Sequence, residues 1–317
     1  MACIAFGSLS FTGVCGQSLK KEPAIQRALG YLTNEVPKWS VENKCYSCHN
    51  NGDAARALYT AKRMGIPVAP KAIEDTTRWQ SHPESWNDNG GKAEFNDKKL
   101  ATIQFAFALV AAIESGEVEE GSSLLSAAEM VANHQENDGL WRTNTDGGIG
   151  SPVTYGDTLA TAVGLKILTS VDGQQFKSQI DKANRWLRDK EPKNVLDATG
   201  MLIGLGSSQD HHAVTRRTQS LELINKSQGE SGGWGLYVDS APEAFDTAIV
   251  LLALKQSDEQ TNHAGMIQRG RGFLIKLQSN DGSWPETTRP SHAKSYAHRL
   301  STTGWVTLAL LETKYDD

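Results

Sequence analysis

A seven-residue pattern, Q-x-x-x-G-x-W, occurs three times with identical spacing and constrains the fold more than any other feature of the sequence. The copies are QENDGLW, QGESGGW and QSNDGSW, which begin at Gln135, Gln228 and Gln278. A fourth copy, QSHPESW from Gln80 to Trp86, carries Glu84 in the glycine position. Internal repeats of this kind indicate a chain that folds by stacking similar units.

The stretches on either side of each copy differ in how their apolar residues are spaced. Stretches that precede a copy, such as LLSAAEMVANH, place apolar residues at helical spacing along one face, as outer helices do. Stretches that follow the next polar loop, such as DTLATAVGLKIL from Asp157 and DTAIVLLAL from Asp246, are apolar nearly all round, as buried inner helices are. No segment shows the two-residue alternation of a strand.

This order of outer helix, loop and inner helix recurs six times along the chain. A single pair cannot bury its apolar face alone, so the pairs must stack. We therefore predict an all-α fold, an (α/α)6 toroid of six helix hairpins, with residues 17–317 forming one domain. The first helices are expected to begin near Ala24, Ala72, Leu124, Gln179, Thr218 and Met266.

Each residue type in the repeated pattern has a physical role. The glycine permits a turn that residues with a Cβ resist, and the Gln amide can satisfy free backbone groups at helix ends. The ring of Trp141, Trp234 or Trp284 buries apolar surface against a neighbouring repeat, so these residues are interpreted as structural. The pattern resembles the QW motif of the terpenoid cyclase and protein prenyltransferase α/α-toroid superfamily, in particular squalene–hopene cyclase, over about residues 24–313.

This resemblance implies a fold more strongly than an activity, because such repeats stabilise the barrel. The Asp-x-Asp-Asp cluster that supplies the acid in squalene-type cyclases is absent, as is the Asp-Asp-x-x-Asp diphosphate–magnesium motif. The zinc site of the prenyltransferases is also absent, since no cysteine follows Cys48. We expect an inner-helix cavity that suits an apolar or isoprenoid-like small molecule. Its lining should include Ala160, Val163, Ile249 and Leu252.

Three aspartates precede apolar inner-helix runs, namely Asp157, Asp197 and Asp246. A carboxylate in this position can serve as a helix N-cap that faces the positive end of the helix dipole. The resemblance adds a functional alternative, because related enzymes hold their catalytic groups at one mouth of the toroid. The three aspartates are therefore the candidate catalytic residues, and both interpretations can apply to one residue.

The segment KCYSCHNNGD contains Cys45, Cys48 and His49 in the C-x-x-C-H pattern that attaches c-type haem. It precedes the first inner helix, which bears Asp53 near its start, and is expected at the same mouth as the three aspartates. Cys45, Cys48 and His49 are therefore the candidate cofactor-binding and metal-binding residues. A helix N-terminus at this point would lower the thiol pKa and favour the thiolate.

Four interpretations of this pattern stay open. Both thiols could attach haem c, with His49 ligating the iron and Met64 close by in sequence. The three residues could instead bind zinc or iron with a distant fourth ligand, such as His211, His212 or an inner-helix Asp. Cys45 and Cys48 could form a disulfide, or the thiols could pack as small apolar groups within a repeat variant.

Composition excludes some classes of partner. The net charge of −5 and the lack of a basic block argue against nucleic acid. No apolar run approaches the ~20 residues of a membrane helix. Residues 1–16, MACIAFGSLSFTGVCG, are uncharged and mostly apolar, and they end in a small-residue pattern suited to signal peptidase. They predict a periplasmic or secreted protein, whereas without export the protein would be cytoplasmic.

The last loop is rich in basic and aromatic groups that could meet an anion such as a diphosphate, or could simply be solvated. These are Arg289, His292, Lys294, Tyr296, His298 and Arg299. Trp305 beyond it could line the cavity or belong to the core.

The leading hypothesis is a squalene-cyclase-like toroid without the usual acid, either a divergent enzyme or a binding protein. The alternatives are a haem- or metal-bearing redox module on this scaffold and a structural interaction scaffold.

Overall fold

The computed structural model describes residues 22–90, 97–143, 149–171, 174–257, 263–289 and 294–314. In these ranges the chain forms twelve α-helices and no strand, with one isolated bridge between Gln228 and Trp234. The prediction of an all-α chain is therefore confirmed. The predicted export segment at residues 1–16 and the loop residue His292 lie outside the described ranges.

The helices alternate in chain order between an outer and an inner layer. The outer helices are α1 (Pro23–Asn43), α3 (Glu74–Gln80), α5 (Ser122–Asn133), α7 (Lys177–Asp189), α9 (His211–Ser227) and α11 (Ala264–Leu277). The inner helices are α2 (Ala55–Arg63), α4 (Lys98–Glu114), α6 (Asp157–Thr169), α8 (Val195–Leu205), α10 (Ala244–Gln256) and α12 (Tyr296–Glu312). A π-helix (Cys48–Ala54) and two 3₁₀ segments (Pro70–Ala72 and Pro83–Asp88) complete the helical structure of the described ranges.

Burial explains why the sequence divides into these two layers. Inner helix α10 buries every residue from Ala244 to Leu254, whereas outer helix α7 fully buries only Ala183 and Leu187. A helix that is surrounded on all sides must be apolar all round, while an outer helix needs only one apolar stripe. No helix in the described ranges combines the length and apolar composition that a bilayer crossing requires.

The inner helices close into a ring. Each inner helix contacts the next one along the chain, from α2 to α12, and α12 contacts α2 in turn. The outer helix α1 also packs against α12. This closure confirms the predicted toroid and its six hairpins.

The Gln residues of the repeated motif join successive hairpins. Each Gln Nε2 donates two hydrogen bonds, one to the carbonyl oxygen of its own motif glycine and one to the first turn of the next outer helix. Gln135 reaches Gln179 at 2.9 Å, and Gln228 reaches Met266 at 3.0 Å. The last copy closes the ring, because Gln278 donates to the carbonyl oxygen of Ala24 in α1 at 2.9 Å.

The motif glycines permit this close approach between loop and helix. Gly232 has φ +92°, and a Cβ there would lie 2.6 Å from the carbonyl oxygen of Arg269 in the next outer helix. Only glycine meets both requirements without strain. The adjoining Trp234 is fully buried, and its indole N–H donates to the carbonyl oxygen of Ile224 at 2.8 Å. The Trp residues are therefore structural, as predicted.

The fourth, degenerate copy is built differently. Glu84 lies in a 3₁₀ segment in place of the motif glycine. Gln80 Nε2 turns inward and donates to the carbonyl oxygen of Asn51 at 2.6 Å. The degenerate copy therefore supports the start of the first inner helix, rather than tying α3 to the next outer helix.

Two helices begin earlier than the sequence pattern predicted. Helix α9 begins at His211, where Asp210 accepts a hydrogen bond from the Ala213 N–H, so His211 and His212 lie in a first helical turn and not in a loop. Helix α12 begins at Tyr296, so it includes part of the segment that we had interpreted as the last loop. In both cases a capping Asp or Ser lengthens the helix beyond its apolar stretch.

Candidate functional site

A cavity of about 290 Å³ lies among the inner helices. Apolar side chains from several helices line it, including Leu159, Val163 and Leu252. The predicted lining residues Val163 and Leu252 are thereby confirmed, whereas Ala160 and Ile249 are buried in the core without bordering the cavity. Its charged lining residues are Arg56, Arg63, Glu114, Lys166, Lys255 and Glu312.

These charged residues locate the cavity within the toroid. Arg63, Glu114 and Glu312 are the last residues of their inner helices. The cavity therefore lies toward the end of the toroid where the inner helices finish. The three aspartates predicted as catalytic lie near the starts of inner helices, at the opposite end.

Arg56 and two aromatic rings form the deep part of the cavity. The guanidinium carbon of Arg56 lies 3.6 Å from the ring centroid of Phe107 and 4.4 Å from that of Trp305. Trp305 thus both lines the cavity and packs in the core, since only 2% of it is exposed. Cation–π attraction of this kind stabilises a guanidinium that has lost most of its hydration.

Asp53 lies one helical turn before Arg56 and is fully buried. Its carboxylate accepts hydrogen bonds from the Tyr155 hydroxyl, from Ser301 Oγ at 2.7 Å and from Gln104 Nε2 at 2.8 Å. Burial raises the pKa of Asp53 to about 6, although these donors and the charge of Arg56 oppose the rise. Asp53 is therefore the carboxyl group in this part of the protein that can change its protonation near neutral pH.

The hydroxyl that binds Asp53 comes from a strained loop. Tyr155 has φ +59°, which is uncommon for a residue other than glycine. The neighbouring Gly150 and Gly156 allow the tight backbone, since a Cβ on Gly156 would lie 2.9 Å from Gly150 Cα. Strained backbone persists where the surrounding structure enforces it, and such positions cluster at functional sites.

The three predicted catalytic aspartates each have separate partners. Asp157 accepts the Thr143 N–H at 3.0 Å, and Asp197 accepts the Thr158 hydroxyl at 2.5 Å. The third, Asp246, is fully buried and forms a bidentate ion pair with Arg289. No hydrogen bond or ion pair joins these carboxylates to one another in the described ranges, so the structure does not assemble them into one site. Their catalytic role stays a prediction.

The C-x-x-C-H segment borders a second cavity of about 360 Å³. Cys45, Cys48 and His49 all line it, and both cysteines are free thiols. Aromatic side chains form much of the remaining wall, namely Trp39, Tyr46, Phe105 and Tyr296. The motif therefore lies at the predicted end of the toroid, at the start of the first inner helix.

A chain of hydrogen bonds runs from this second cavity to Asp53. When Asp53 is ionised, Ser301 donates its single proton to it, and His49 Nδ1–H then donates to Ser301 Oγ at 3.0 Å. His49 Nε2 is then the acceptor that faces Cys48 Sγ at 3.7 Å. His49 Nε2, the nitrogen that an iron would need, faces the Cys48 thiol instead, and this arrangement does not fit a haem ligand.

The thiol prediction requires correction. Burial raises the pKa of Cys48 to about 12, and the negative charge of Asp53 adds to the rise. Burial also disfavours the charged form of His49, and it lowers the pKa of this imidazole to about 4. Desolvation outweighs the helix N-terminus here, so the protonated thiol is favoured and not the thiolate. In the described ranges, no three His, Cys, Asp or Glu side chains converge as a metal site.

Two arginines of the basic last segment are paired with carboxylates. Arg289 pairs with Asp246 and Glu243, and Arg299, which belongs to α12, pairs with Glu286 at 3.3 Å. These cations are therefore engaged within the protein.

Comparison with known proteins supports the fold. Residues 191–316 match the family described as the squalene-hopene cyclase C-terminal domain. A segment of 107 residues, 32% of the chain, is 31% identical to lanosterol synthase from Saccharomyces cerevisiae and covers 14% of that protein. Another, of 114 residues and 35% of the chain, is 25% identical to enfumafungin synthase from Hormonema carpetanum and covers 7% of it. The chain thus matches only a small part of these curated relatives.

Solved structures resemble this chain over nearly its whole length. A protein from Actinoplanes is 16% identical with a TM-score of 0.59, and the likeness covers 92% of this chain and 98% of that one. The type II terpene cyclase MstE from Scytonema is 13% identical with a TM-score of 0.58, covering 91% and 97%. A variant of MstE in complex with geranylgeranyl dihydroxybenzoate, its substrate, has a TM-score of 0.53 at 13% identity, covering 92% and 98%.

The closed ring of six hairpins defines an α/α-toroid protein. Together with the C-terminal sequence match, it shows that the chain resembles the terpenoid cyclase-like superfamily in fold.

Sequence reasoning did not select three residues that the structure brings together, namely Asp53, Arg56 and Tyr155. A usable signal existed for two of them. Asp53 and Arg56 are the only charged residues in the stretch from Gly52 to Ala61, and a charged side chain on an inner helix must point at a partner or a cavity. Tyr155 gave no such signal, because its position depends on the fold of a loop.

Proposed function

We propose that this protein binds an isoprenoid-like ligand in the central cavity between the inner helices. The observation that carries the proposal is the cavity lining, in which apolar side chains surround a deep polar group, Arg56. Such a combination of apolar walls with few polar groups is typical of small-molecule sites. Support comes from MstE, which shares the fold and was solved with a geranylgeranyl compound.

A second candidate function, a divergent cyclase, is favoured by Asp53. A carboxylic acid that protonates an alkene must keep its proton, and burial raises the pKa of Asp53 to about 6. Two observations favour binding over cyclisation. The guanidinium of Arg56 already covers the faces of Phe107 and Trp305 that would stabilise a carbocation. In addition, Asp53 is fully buried and directs its oxygens at protein donors.

Binding of geranylgeraniol, followed by isothermal titration calorimetry, tests the first function. Val163→Phe should fill the cavity and weaken binding by about tenfold or more. The control Val41→Phe makes the same change at an exposed position and should bind as the wild type does. Equal binding by both variants would contradict ligand entry into this cavity.

Product analysis by mass spectrometry tests the second function. Cyclase activity predicts a product isomeric with the geranylgeranyl substrate, which disappears in Asp53→Asn while binding persists. If the substrate is recovered unchanged from the wild-type protein, the binding function stands and the cyclase function does not.

A further inference from the structure

Arg56 is buried, and its hydrogen bonding is incomplete. Burial lowers the pKa of its guanidinium, while the Tyr155 side chain and the charges of Asp53 and Glu114 oppose this fall. Only 6% of the residue is exposed, and its Nη1 has no hydrogen-bond partner among the described residues. The two aromatic rings contact the faces of the guanidinium but cannot accept the hydrogen bonds of its edge. Since buried polar groups are almost always satisfied, an unsatisfied one in a cavity wall points to a ligand group.

A second cation lies on the same wall. Lys166 lines the cavity, and its Nζ is 5.6 Å from the centroid of the Phe107 ring that Arg56 covers. No carboxylate in the described ranges lies within 4 Å of this ammonium group. Arg56 and Lys166 therefore flank one ring. Burial lowers the pKa of Lys166, Glu114 opposes this fall, and the positive charge of Arg56 adds to it.

The carboxylates nearby do not satisfy these two cations. Asp53 is already bound by three protein donors, and Glu312 forms an ion pair with Arg63. Glu114 attracts Lys166 across the cavity but lies beyond ion-pair distance. The deep end of the cavity thus presents an unsatisfied guanidinium edge, with a second basic side chain on the same ring, beside an apolar space.

We propose that the ligand of the central cavity carries an anionic group, a carboxylate or a phosphate, that binds the free edge of Arg56 with support from Lys166. This inference rests on the proposed function and narrows it from isoprenoids in general to isoprenoid acids or phosphate esters. The planar guanidinium suits either group, because it can donate two parallel hydrogen bonds to their oxygens. The polyprenyl chain then lies along the apolar inner-helix side chains.

The test compares ligands that share one chain and differ in the terminal group. Geranylgeraniol, geranylgeranoic acid and geranylgeranyl monophosphate are titrated into wild type, Arg56→Gln and the control Lys62→Gln, which removes a positive charge from the same helix at a position that does not line the cavity. We expect at least one anionic ligand to bind wild type about tenfold or more tightly than the alcohol. Arg56→Gln should abolish that preference and leave alcohol affinity within about twofold, and Lys62→Gln should retain the preference.

The outcomes separate this inference from the proposed function. If the alcohol binds as tightly as both anions, the anionic ligand is excluded while isoprenoid binding stands. The anionic ligand is also excluded if Arg56→Gln weakens the binding of all three ligands by the same factor. If none of the three binds to folded wild-type protein, the proposed function and the inference fall together. If one anion binds more tightly than the other, it shows whether the terminal group of the natural ligand is a carboxylate or a phosphate ester. Thermal melting of each variant checks that the variant is folded.

Discussion

The later repeats and the first two hairpins use the same architecture for different purposes. In the hairpins that begin with α5, α9 and α11, the motif Gln, Gly and Trp tie each loop to the next outer helix. In the first two hairpins Gln80 turns inward, Glu84 replaces the glycine, and a π-helix opens the first inner helix. The buried polar residues Asp53, Arg56 and Gln104 all lie on these two hairpins.

The difference shows where the toroid is regular for stability and where it is not. A repeat that follows the pattern satisfies its own backbone groups and buries its Trp, so it adds to the ring without creating a site. Departures from local rules are expected at functional sites, where other residues compensate for them. The buried polar residues Asp53 and Arg56 of the candidate site accordingly lie in the first hairpin, where the pattern is broken.

The largest expected effect concerns a Trp of the regular repeats. Trp284→Ala removes a fully buried indole and its hydrogen bond to the Leu274 carbonyl oxygen, and we expect the free energy of unfolding to fall by about 4 kcal/mol. The control Trp186→Ala, on an outer helix and only partly buried, should cost well under half of that. Urea unfolding of both variants makes the comparison, and equal losses would contradict the structural role of the motif.

A second test compares how much two of the predicted aspartates, which differ in burial, contribute to the free energy of unfolding. Asp246→Asn removes the charge that pairs with Arg289 inside the protein, and we expect a loss of about 3 kcal/mol because a buried cation loses its main partner. Asp157→Asn acts on a partly exposed carboxylate and should cost below about 1 kcal/mol. Similar losses in urea unfolding would show that the three inner-helix aspartates are equivalent after all.

Asp53 and His49 should link stability to pH in opposite directions. Burial raises the pKa of Asp53 to about 6, above its unfolded value, so between about pH 4 and 6 the folded state binds more protons and stability increases as the pH falls. Burial lowers the pKa of His49 to about 4, so between about pH 6.5 and 4 the unfolded state binds more protons and stability decreases as the pH falls. In the wild type the two contributions largely cancel.

Removing either titratable group should reveal the pH dependence of stability that the other contributes. Relative to wild type, Asp53→Asn should lose up to about 3 kcal/mol of stability between pH 6.5 and 4, and His49→Gln should gain a similar amount between pH 6 and 4. Urea unfolding at half-unit pH intervals measures both profiles. Asp189→Asn, on the exposed side of α7, serves as the control. Parallel profiles for Asp53→Asn and wild type would contradict the raised pKa of Asp53.

The fold could be predicted because its determinants are local and repeated. The spacing from Gln228 to Trp234 and the apolar stretch after Asp246 each indicate one element, and six such pairs leave few ways to stack. Helix starts were less predictable, since α9 and α12 extend through polar first turns that carry no apolar signal.

Most of the candidate site could not be predicted from the sequence, because it depends on contacts between distant segments. Tyr155, Ser301 and Gln104 bind one carboxylate from three different hairpins. The prediction of a lowered thiol pKa was wrong for a related reason. The sequence predicts a helix N-terminus just after Cys48, whereas the burial that outweighs it depends on residues far along the chain, such as Phe105 and Tyr296.

The smallest expected effect tests whether the ring is closed by the same contact that joins its interior repeats. Gln278 donates to Ala24 in α1 and to Gly282, as Gln135 does to Gln179 and Gly139. Because each substitution leaves two backbone carbonyl groups without their donor, Gln278→Ala and Gln135→Ala should each lower the free energy of unfolding by about 1 to 2 kcal/mol.

The comparison between these two variants is more informative than either value. In a closed toroid the last loop and the first helix form one more interior junction, so equal losses are expected in urea unfolding. In an open ring the contact with α1 would be a frayed end, and its loss would cost almost nothing. A loss for Gln135→Ala without one for Gln278→Ala would therefore contradict closure, and with it the enclosed cavity on which the ligand site depends.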